Sequence, residues 1–337
     1  MRAAVLEHPA PASAGPLRIA TRPDPRPGPG EVVLGVDACA VCRTDLQLAE
    51  GDLAARRLPI IPGHQAVGRI LEVGAGVPAE RVGGRAGADW LASTCETCRF
   101  CRSGRENLCA AAEFHGWDRD GGFAERMVVR ADHLVPIPEG LDDRAAAPLL
   151  CGGVIGYRSL RVCGIQSGGR LGLYGFGASA ICAIQVARHW GCEVAVVTRS
   201  AAERRRAEEL GASWTGDLGA RPPWPLDAAI TFAPVGSVVV DALRALDRGG
   251  TVAVNAIHLD RIPEFSYDHL WLERSIRSVA NVTRADAAEF MGLAAEIPVR
   301  TATEAHPLED VGVALNRLAG GVVRGAAVLM IEGSTHA

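Results

Sequence analysis

Apolar and polar positions along the chain fall into two textures. Up to about residue 150, short apolar runs rich in β-branched residues are broken by glycine and proline. Glu31–Asp37, Val67–Val73 and Phe123–Val129 are such runs and predict strands. Met1–Ala10 leads directly into another, and Pro23–Pro29, with proline at alternate positions, predicts a stiff extended connector. From about residue 170 strand and helix patterns alternate. Leu171–Tyr174, Glu193–Thr198, Leu226–Phe232, Gly250–Asn255 and Ile276–Val282 predict strands, and Ala178–Trp190, Ala201–Leu210, Val235–Leu246 and Arg284–Ala294 predict helices. Such alternation implies right-handed crossovers and a doubly wound parallel sheet covered by helices on both faces. Arg300–Ala305, a helix near Leu308–Leu318 and a strand at Ala326–Ile331 return to the first texture. The expected class is therefore α/β, with a doubly wound domain over 150–290 and a β-rich domain built from 1–149 and 291–337.

The chain has 337 residues, 48% of them hydrophobic and 22% charged; at about 150 residues per domain this length suits two domains with real cores. A formal net charge of −4 argues against a dedicated nucleic-acid binder. All 35 basic residues are arginine, and the lack of lysine excludes Schiff-base chemistry, pyridoxal-phosphate anchoring and the phosphate-loop lysine. No run approaches the ~20 apolar residues of a membrane span, and the start lacks the features of a signal peptide. A cytoplasmic location with no membrane partner is expected. Thiols stay reduced there, so the ten cysteines point to metal or catalysis before disulfides.

Cys95, Cys98, Cys101 and Cys109 lie together in CETCRFCRSGRENLC. Three cysteines two residues apart and a fourth eight positions on can close one tetrahedron around a single ion, and zinc favours such a closed thiolate site. A redox pair, merely packed cysteines and an iron–sulfur cluster are the alternatives. With every position filled by protein, a metal here would brace the loop and do no chemistry.

Spacing does not sort the other cysteines, Cys39, Cys42, Cys151, Cys163, Cys182 and Cys192, because a lone buried cysteine is ordinarily a small hydrophobe. Context singles out Cys42 in CRTDL and Cys151 in LLCGG, with His64 in the turn PGHQ. In chain order, CRTD, GH, the four-cysteine loop ending GRENLC, LLC and the glycine turn YGFGASA resemble the zinc-containing medium-chain alcohol dehydrogenases over essentially the whole chain. The likeness is greatest to a bacterial branch carrying the phrases LYGFG and SVAN, here Leu173–Gly177 and Ser278–Asn281. The resemblance implies a GroES-like catalytic domain, a Rossmann nucleotide domain and an active site between them. It implies that Cys42, His64 and Cys151 hold a catalytic zinc in the known Cys₂His arrangement, leaving a fourth position for water or substrate; with the loop, that makes two zinc ions per chain. Two thiolates and a neutral imidazole leave such an ion nearly neutral yet still a Lewis acid.

By the same resemblance Asp45 orients His64 through its other ring nitrogen, although alone it reads as a turn aspartate and His64 alone as a core histidine. Thr44 would contact the substrate oxygen. Trp90 would line the substrate pocket, with a core tryptophan as the other reading. Two departures stand out. Gln65 follows the histidine ligand where the family usually has glutamate, and Gln47 stands where a histidine often passes the proton to solvent. Both bear on the usual proton exit.

Gly175, Gly177 and Ala180, with Phe176 between the glycines, form a G-x-G-x-x-A turn between an apolar strand and a helix. The glycines permit the turn and the backbone's approach to a pyrophosphate, and the small third residue lets helix and strand pack closely. Arg43, by the resemblance, would also reach the pyrophosphate. The next strand ends at Thr198, where NAD enzymes place an acid for the ribose hydroxyls, but the chain reads Thr198–Arg199–Ser200. Lost repulsion plus an arginine fits a 2′-phosphate, which favours NADP over NAD. Ser200 and Glu203 also read as a capping box, and Arg204–Glu208 and Arg205–Glu209 as surface i,i+4 pairs.

The expected reaction is hydride transfer between a small alcohol and NADP or NAD, giving an aldehyde or ketone, in a homo-oligomer (dimer or tetramer). Two other readings stay open. The same fold could reduce a conjugated C=C or an imine, as the altered Gln47 and Gln65 suggest. A non-enzymatic zinc module binding nucleic acid is the third, opposed by the acidic charge and the complete nucleotide motif.

Overall fold

The computed structural model describes residues 1–297 and 299–331, so Pro298 and 332–337 of the expected C-terminal return lie outside the described residues. The chain divides into two compact units.

The first unit is β-rich and is built on the long strand Glu31–Val41, whose residues are nearly all buried. Its seven-stranded sheet runs Thr303–Pro307, Ala326–Met330, Glu31–Val41, Ala66–Val73, Arg85–Ala88, Val135–Pro136, with Arg126–Arg130 also paired to Glu31–Val41. The pairings are antiparallel except between Thr303–Pro307 and Ala326–Met330. Leu34, Val36, Leu46, Ile60, Phe123, Met127, Leu315 and Leu329 share one core cluster. Gly68 is a position where the sheet demands glycine, because a Cβ there would lie 1.8 Å from the Gly35 carbonyl oxygen. The strand expected at Phe123–Val129 begins instead at Arg126. Gly121, Gly122 and Phe123 donate their N–H groups to the carbonyls of Ile61, Gly63 and Pro62, so that stretch closes the turn carrying His64 before the ladder starts.

The second unit holds a six-stranded, wholly parallel sheet in the order Trp214–Gly216, Glu193–Val197, Arg170–Tyr174, Leu226–Thr231, Leu246–Val254, Ser275–Ser278. Numbered within the unit this is 3-2-1-4-5-6, the dinucleotide-binding order. The inner strands are apolar runs because helices cover a parallel sheet; Val239, Ala242 and Leu243 of the helix Gly236–Ala245 pack on Ala229 and Val252. The helices Ala178–His189 and Ala201–Glu209 fall where the apolar period placed them. The strand expected at Gly250 starts at Leu246, which pairs with Leu226 across a register shift. The last strand ends at Ser278, and Asn281, at φ 51°, leaves the extended path just beyond it.

One boundary differs from expectation. Asn281–Glu296 belongs to the first unit, while the second holds Gly152–Ala280 with Ile297 and Val299. The helix Arg284–Glu296 explains this. Arg284 donates its backbone N–H to Glu106 and pairs through its guanidinium with Glu96, Glu106 and Asp132. Among the described residues no helix is long and apolar enough to cross a membrane.

Candidate functional site

Cys42 ends the approach from Glu31–Val41 and is the N-cap of the helix Arg43–Glu50, its sulfur accepting from the Thr44 N–H at 3.4 Å. His64 sits in the turn before Ala66–Val73, and Cys151 follows the short helical segment Ala147–Leu150. These three distant segments bring the Cys42 and Cys151 sulfurs and a His64 ring nitrogen within 4.8 Å of one another. The Cys42 Sγ lies 3.2 Å from His64 Nε2. A tetrahedral zinc with bonds of ~2.3 Å to sulfur and ~2.0 Å to nitrogen would set that separation at roughly 3.5 Å, so the donor set fits the ion after a small adjustment.

Asp45 does two jobs. One carboxylate oxygen accepts the Cys42 N–H at 2.9 Å and closes a capping box; the other accepts from the Gly63 N–H at 3.2 Å and from His64 Nδ1 at 3.1 Å. The turn-aspartate and orienting readings of Asp45 are thus one arrangement, and it leaves Nε2 facing the sulfurs as a ligand must. Burial opposes a charged His64, yet Asp45 and Cys42 outweigh it and hold the imidazole well above its usual pKa. The hydrogen bond from Cys151 chiefly holds Cys42 well below the usual thiol range, and the same bond, with burial, pushes Cys151 up. Two sulfurs and an imidazole held within 4.8 Å of one another, with the ring oriented by a buried carboxylate, suit a cation that replaces their protons.

Thr44 is half-buried and adjoins this cluster through its backbone N–H, Gln47 is half-buried further along the same helix, and Arg43 is exposed. Gln65 is buried, its amide donating to the Ala40 carbonyl at 3.4 Å. Trp90 lies with its ring centroid 6.0 Å from that of His64. It opens an aromatic wall that sequence reading saw only in part: Phe114 and Trp117 lie 4.6 and 6.0 Å from Trp90, and the Arg56 guanidinium stacks 3.7 Å over Trp117. Beside the wall, burial raises Asp89 to about 7 and lowers His115 to about 4. No spacing rule marks these residues, because they meet only through the pairing of Leu91–Ser93 with Glu113–Phe114.

Cys95, Cys98, Cys101 and Cys109 converge within a single loop, their sulfurs all within 4.8 Å of one another. The Cys98–Cys101 and Cys95–Cys101 sulfur separations are 3.5 and 3.9 Å, against roughly 3.8 Å across a zinc tetrahedron. Backbone N–H groups of Cys98 and Cys101 point at the sulfurs of Cys95 and Cys98 at 3.3 and 3.5 Å. N–H groups of Thr97 and Cys98 hold Cys95 down to about 6, while burial pushes Cys101 up to about 11.

In the second unit the Gly175 N–H donates to the Val197 carbonyl, setting the glycine turn beside the end of Glu193–Val197. Gly175 has φ 88°, and a Cβ there would come within 3.1 Å of the Ala233 nitrogen. Gly177 is the N-cap of Ala178–His189 and has nothing within 4 Å of where a Cβ would stand. That open side, above the free N–H groups of a helix N-terminus, fits a pyrophosphate. Ala180 is fully buried. So is the Phe176 side chain, which leaves that residue only its backbone to offer a ligand.

At the strand end Thr198 is buried and Arg199 exposed. Ser200 caps Ala201–Glu209 by accepting the Glu203 N–H at 3.3 Å. The capping box is only half formed, because the Glu203 carboxylate accepts instead from the Thr198 hydroxyl. Arg204 likewise turns from Glu208 to the Thr198 carbonyl and Asp217, and Glu208 accepts from Thr215.

Comparison with known proteins agrees with this arrangement. Residues 28–139 match the alcohol dehydrogenase GroES-like domain and residues 180–296 the zinc-binding dehydrogenase domain. The chain is 49% identical to a probable alcohol dehydrogenase, AdhA, of Mycobacterium tuberculosis, over 98% of this chain and 97% of that one. Its fold superposes on the crystal structure of AibC with a TM-score of 0.89 at 29% identity, covering 99% and 96% of the two chains. A putative zinc-binding dehydrogenase of Sinorhizobium meliloti, solved bound to NADP, gives 0.85 at 25% identity over 98% of each chain. A zinc-liganding GroES-like unit joined to a dinucleotide-binding unit defines the class. The chain belongs to the zinc-dependent medium-chain alcohol dehydrogenase family. It is an alcohol oxidoreductase that uses zinc and a nicotinamide coenzyme.

Proposed function

We propose that Cys42, His64 and Cys151 form the catalytic metal site, that Cys95, Cys98, Cys101 and Cys109 form a second, bracing one, and that the enzyme interconverts small alcohols with aldehydes or ketones. The observation that carries this reading is Asp45, which ties the Cys42 backbone and the His64 ring into one buried unit with Nε2 aimed at the sulfurs. Such an unit belongs to a ligand that must be oriented, and the all-cysteine loop has no counterpart. Zinc bound there supplies a Lewis acid that makes a hydroxyl more acidic. The Thr44 hydroxyl would relay the substrate's proton, accepting it while passing its own to the coenzyme ribose hydroxyl and on to water, and Trp90 with Phe114 and Trp117 gives the carbon skeleton an apolar wall. Gln47 can hold a water but cannot store the proton, since an amide does not titrate near neutrality.

The Gly175–Gly177 turn holds the pyrophosphate, Arg43 adds a contact on the strength of the family likeness, and Arg199 favours NADP over NAD. Residues 1–149 with the C-terminal return serve as the catalytic domain and the parallel sheet as the nucleotide domain. The reduced thiols suit the cytoplasm. A homo-oligomer is proposed from the second unit's edge strand Ser275–Ser278 and the exposed Tyr267 and Trp271 nearby in sequence.

Metal analysis tests the assignment, with two zinc ions per chain expected. One zinc that survives Cys42→Ala but is lost with Cys98→Ala would leave the three-ligand site unfilled and sink the proposal; iron with visible absorption would overturn the bracing site. Turnover of an α,β-unsaturated aldehyde with NADPH is expected to yield the allylic alcohol, and a saturated aldehyde would restore the C=C reductase reading.

A further inference from the structure

The strand end at Thr198 lacks the carboxylate that, in this fold, accepts a hydrogen bond from the adenosine ribose 2′-hydroxyl. The helix turn that follows returns one, five residues along the chain. Glu203, on the first turn of Ala201–Glu209, points back to the strand end, where one carboxylate oxygen accepts from the Thr198 hydroxyl at 2.5 Å. Two further bonds fix that turn: Ser200 accepts the Glu203 N–H, and Arg204 donates to the Thr198 carbonyl while pairing with Asp217. Arg204 is thereby committed, and Arg199 is the exposed cation beside Thr198. Glu203 itself is only half-buried, so its second oxygen keeps room for a ligand.

We propose that Glu203 is a coenzyme-specificity residue: anchored on Thr198, its carboxylate receives the ribose 2′-hydroxyl of NAD and repels the 2′-phosphate of NADP, in opposition to Arg199. The inference rests on the dinucleotide reading of the glycine turn and deepens it. A 2′-phosphate carries nearly two negative charges and gains from one guanidinium, whereas a carboxylate at the same place subtracts from that gain. The preference between coenzymes is therefore a difference between two opposed side chains, so both dinucleotides bind and neither is rejected outright.

Equilibrium titration of the full-length protein tests this without turnover, following coenzyme fluorescence for NADH and NADPH and calorimetry for ADP and 2′,5′-ADP. Glu203→Gln should tighten NADPH and 2′,5′-ADP and weaken NADH and ADP, moving the ratio of affinities by about tenfold or more, the worth of one charge-assisted hydrogen bond. Glu203→Asp keeps the charge but shortens the reach, so NADH should weaken while NADPH stays as in the parent. Thr198→Val, which removes the anchor, should move the ratio the same way as Glu203→Gln but less. A ratio unchanged in Glu203→Gln overturns the proposal, whatever happens to the melting temperature, since a purely structural Glu203 would move stability and not the ratio. If the parent protein binds none of the four probes, the dinucleotide reading itself fails. If Arg199→Asp leaves the ratio unmoved while Glu203→Gln shifts it, Glu203 stands and the role of Arg199 falls.

Discussion

The two cysteine clusters of the first unit use the same ligand chemistry and are built in opposite ways. Cys95, Cys98, Cys101 and Cys109 come from one loop, and the N–H groups that stabilise their sulfurs belong to that loop. No carboxylate or imidazole is among their ligands. Cys42, His64 and Cys151 come from three separate segments and are supported by Asp45, itself buried and hydrogen-bonded at both carboxylate oxygens. The first cluster offers four donors and the second three. On the proposed assignment, what would separate a bracing site from a reactive one is the company of the ligands: three donors instead of four, an oriented histidine and the aromatic wall that begins at Trp90.

That contrast can be broken most sharply by removing one ligand from each cluster. Cys42→Ala should lower alcohol oxidation by about a thousandfold or more, since several kcal/mol of charge stabilisation are lost, with little change in melting temperature. Cys98→Ala should do the reverse, loosening the loop and lowering the melting temperature by several degrees, because a metal held by the four thiols would contribute its binding energy to folding. Kinetics and thermal unfolding on the same samples decide it; matching losses in both variants would erase the distinction.

Asp45→Asn sharpens the contrast at the next level. Weakening a partner of a metal-bound histidine typically costs tenfold to about a hundredfold in metal affinity, and only the three-ligand site should lose zinc on titration with a chelator. If both sites release metal together, Asp45 serves the fold alone. Gln47→His should then give a smaller gain, raising oxidation near neutral pH and adding a pH dependence centred around ~6.5, the ordinary imidazole value. A flat profile, with hydride transfer shown to be rate-limiting by deuterated alcohol, would shift attention to Gln65.

The smallest effect concerns thiol reactivity after metal removal. Backbone N–H groups hold Cys95 down to about 6, whereas burial pushes Cys101 up to about 11, which favours the thiolate at Cys95 over Cys101. Alkylation followed by peptide mapping at pH 7 should label Cys95 first and Cys101 late. Equal labelling would mean that the loop's N–H groups no longer face the sulfurs once the metal has gone.

Legibility followed the same division. The four-cysteine loop and the glycine turn could be read directly, because each is a local motif whose spacing alone limits where its atoms can go. Cys42, His64 and Cys151 carry no spacing signal; local context singles them out, and only the family likeness gives them a shared role. The parallel sheet was legible from its alternating periods, while Arg284–Glu296 read as a good helix without revealing that Glu106 and its neighbours would bind it to the first unit.

By itself the sequence determined the elements, the cysteine loop and the strand–turn–helix of the coenzyme site, all set by interactions between residues close along the chain. Tertiary structure decided the rest. Antiparallel pairing of Glu31–Val41 with Ala66–Val73 carries Cys42 and His64 to one another, and the first turn of Ala201–Glu209 turns Glu203 from its own helix cap to Thr198. The first outcome joins segments far apart in the chain and the second only exchanges one near partner for another five residues away, and both are made by burial and by hydrogen bonds that no linear pattern records.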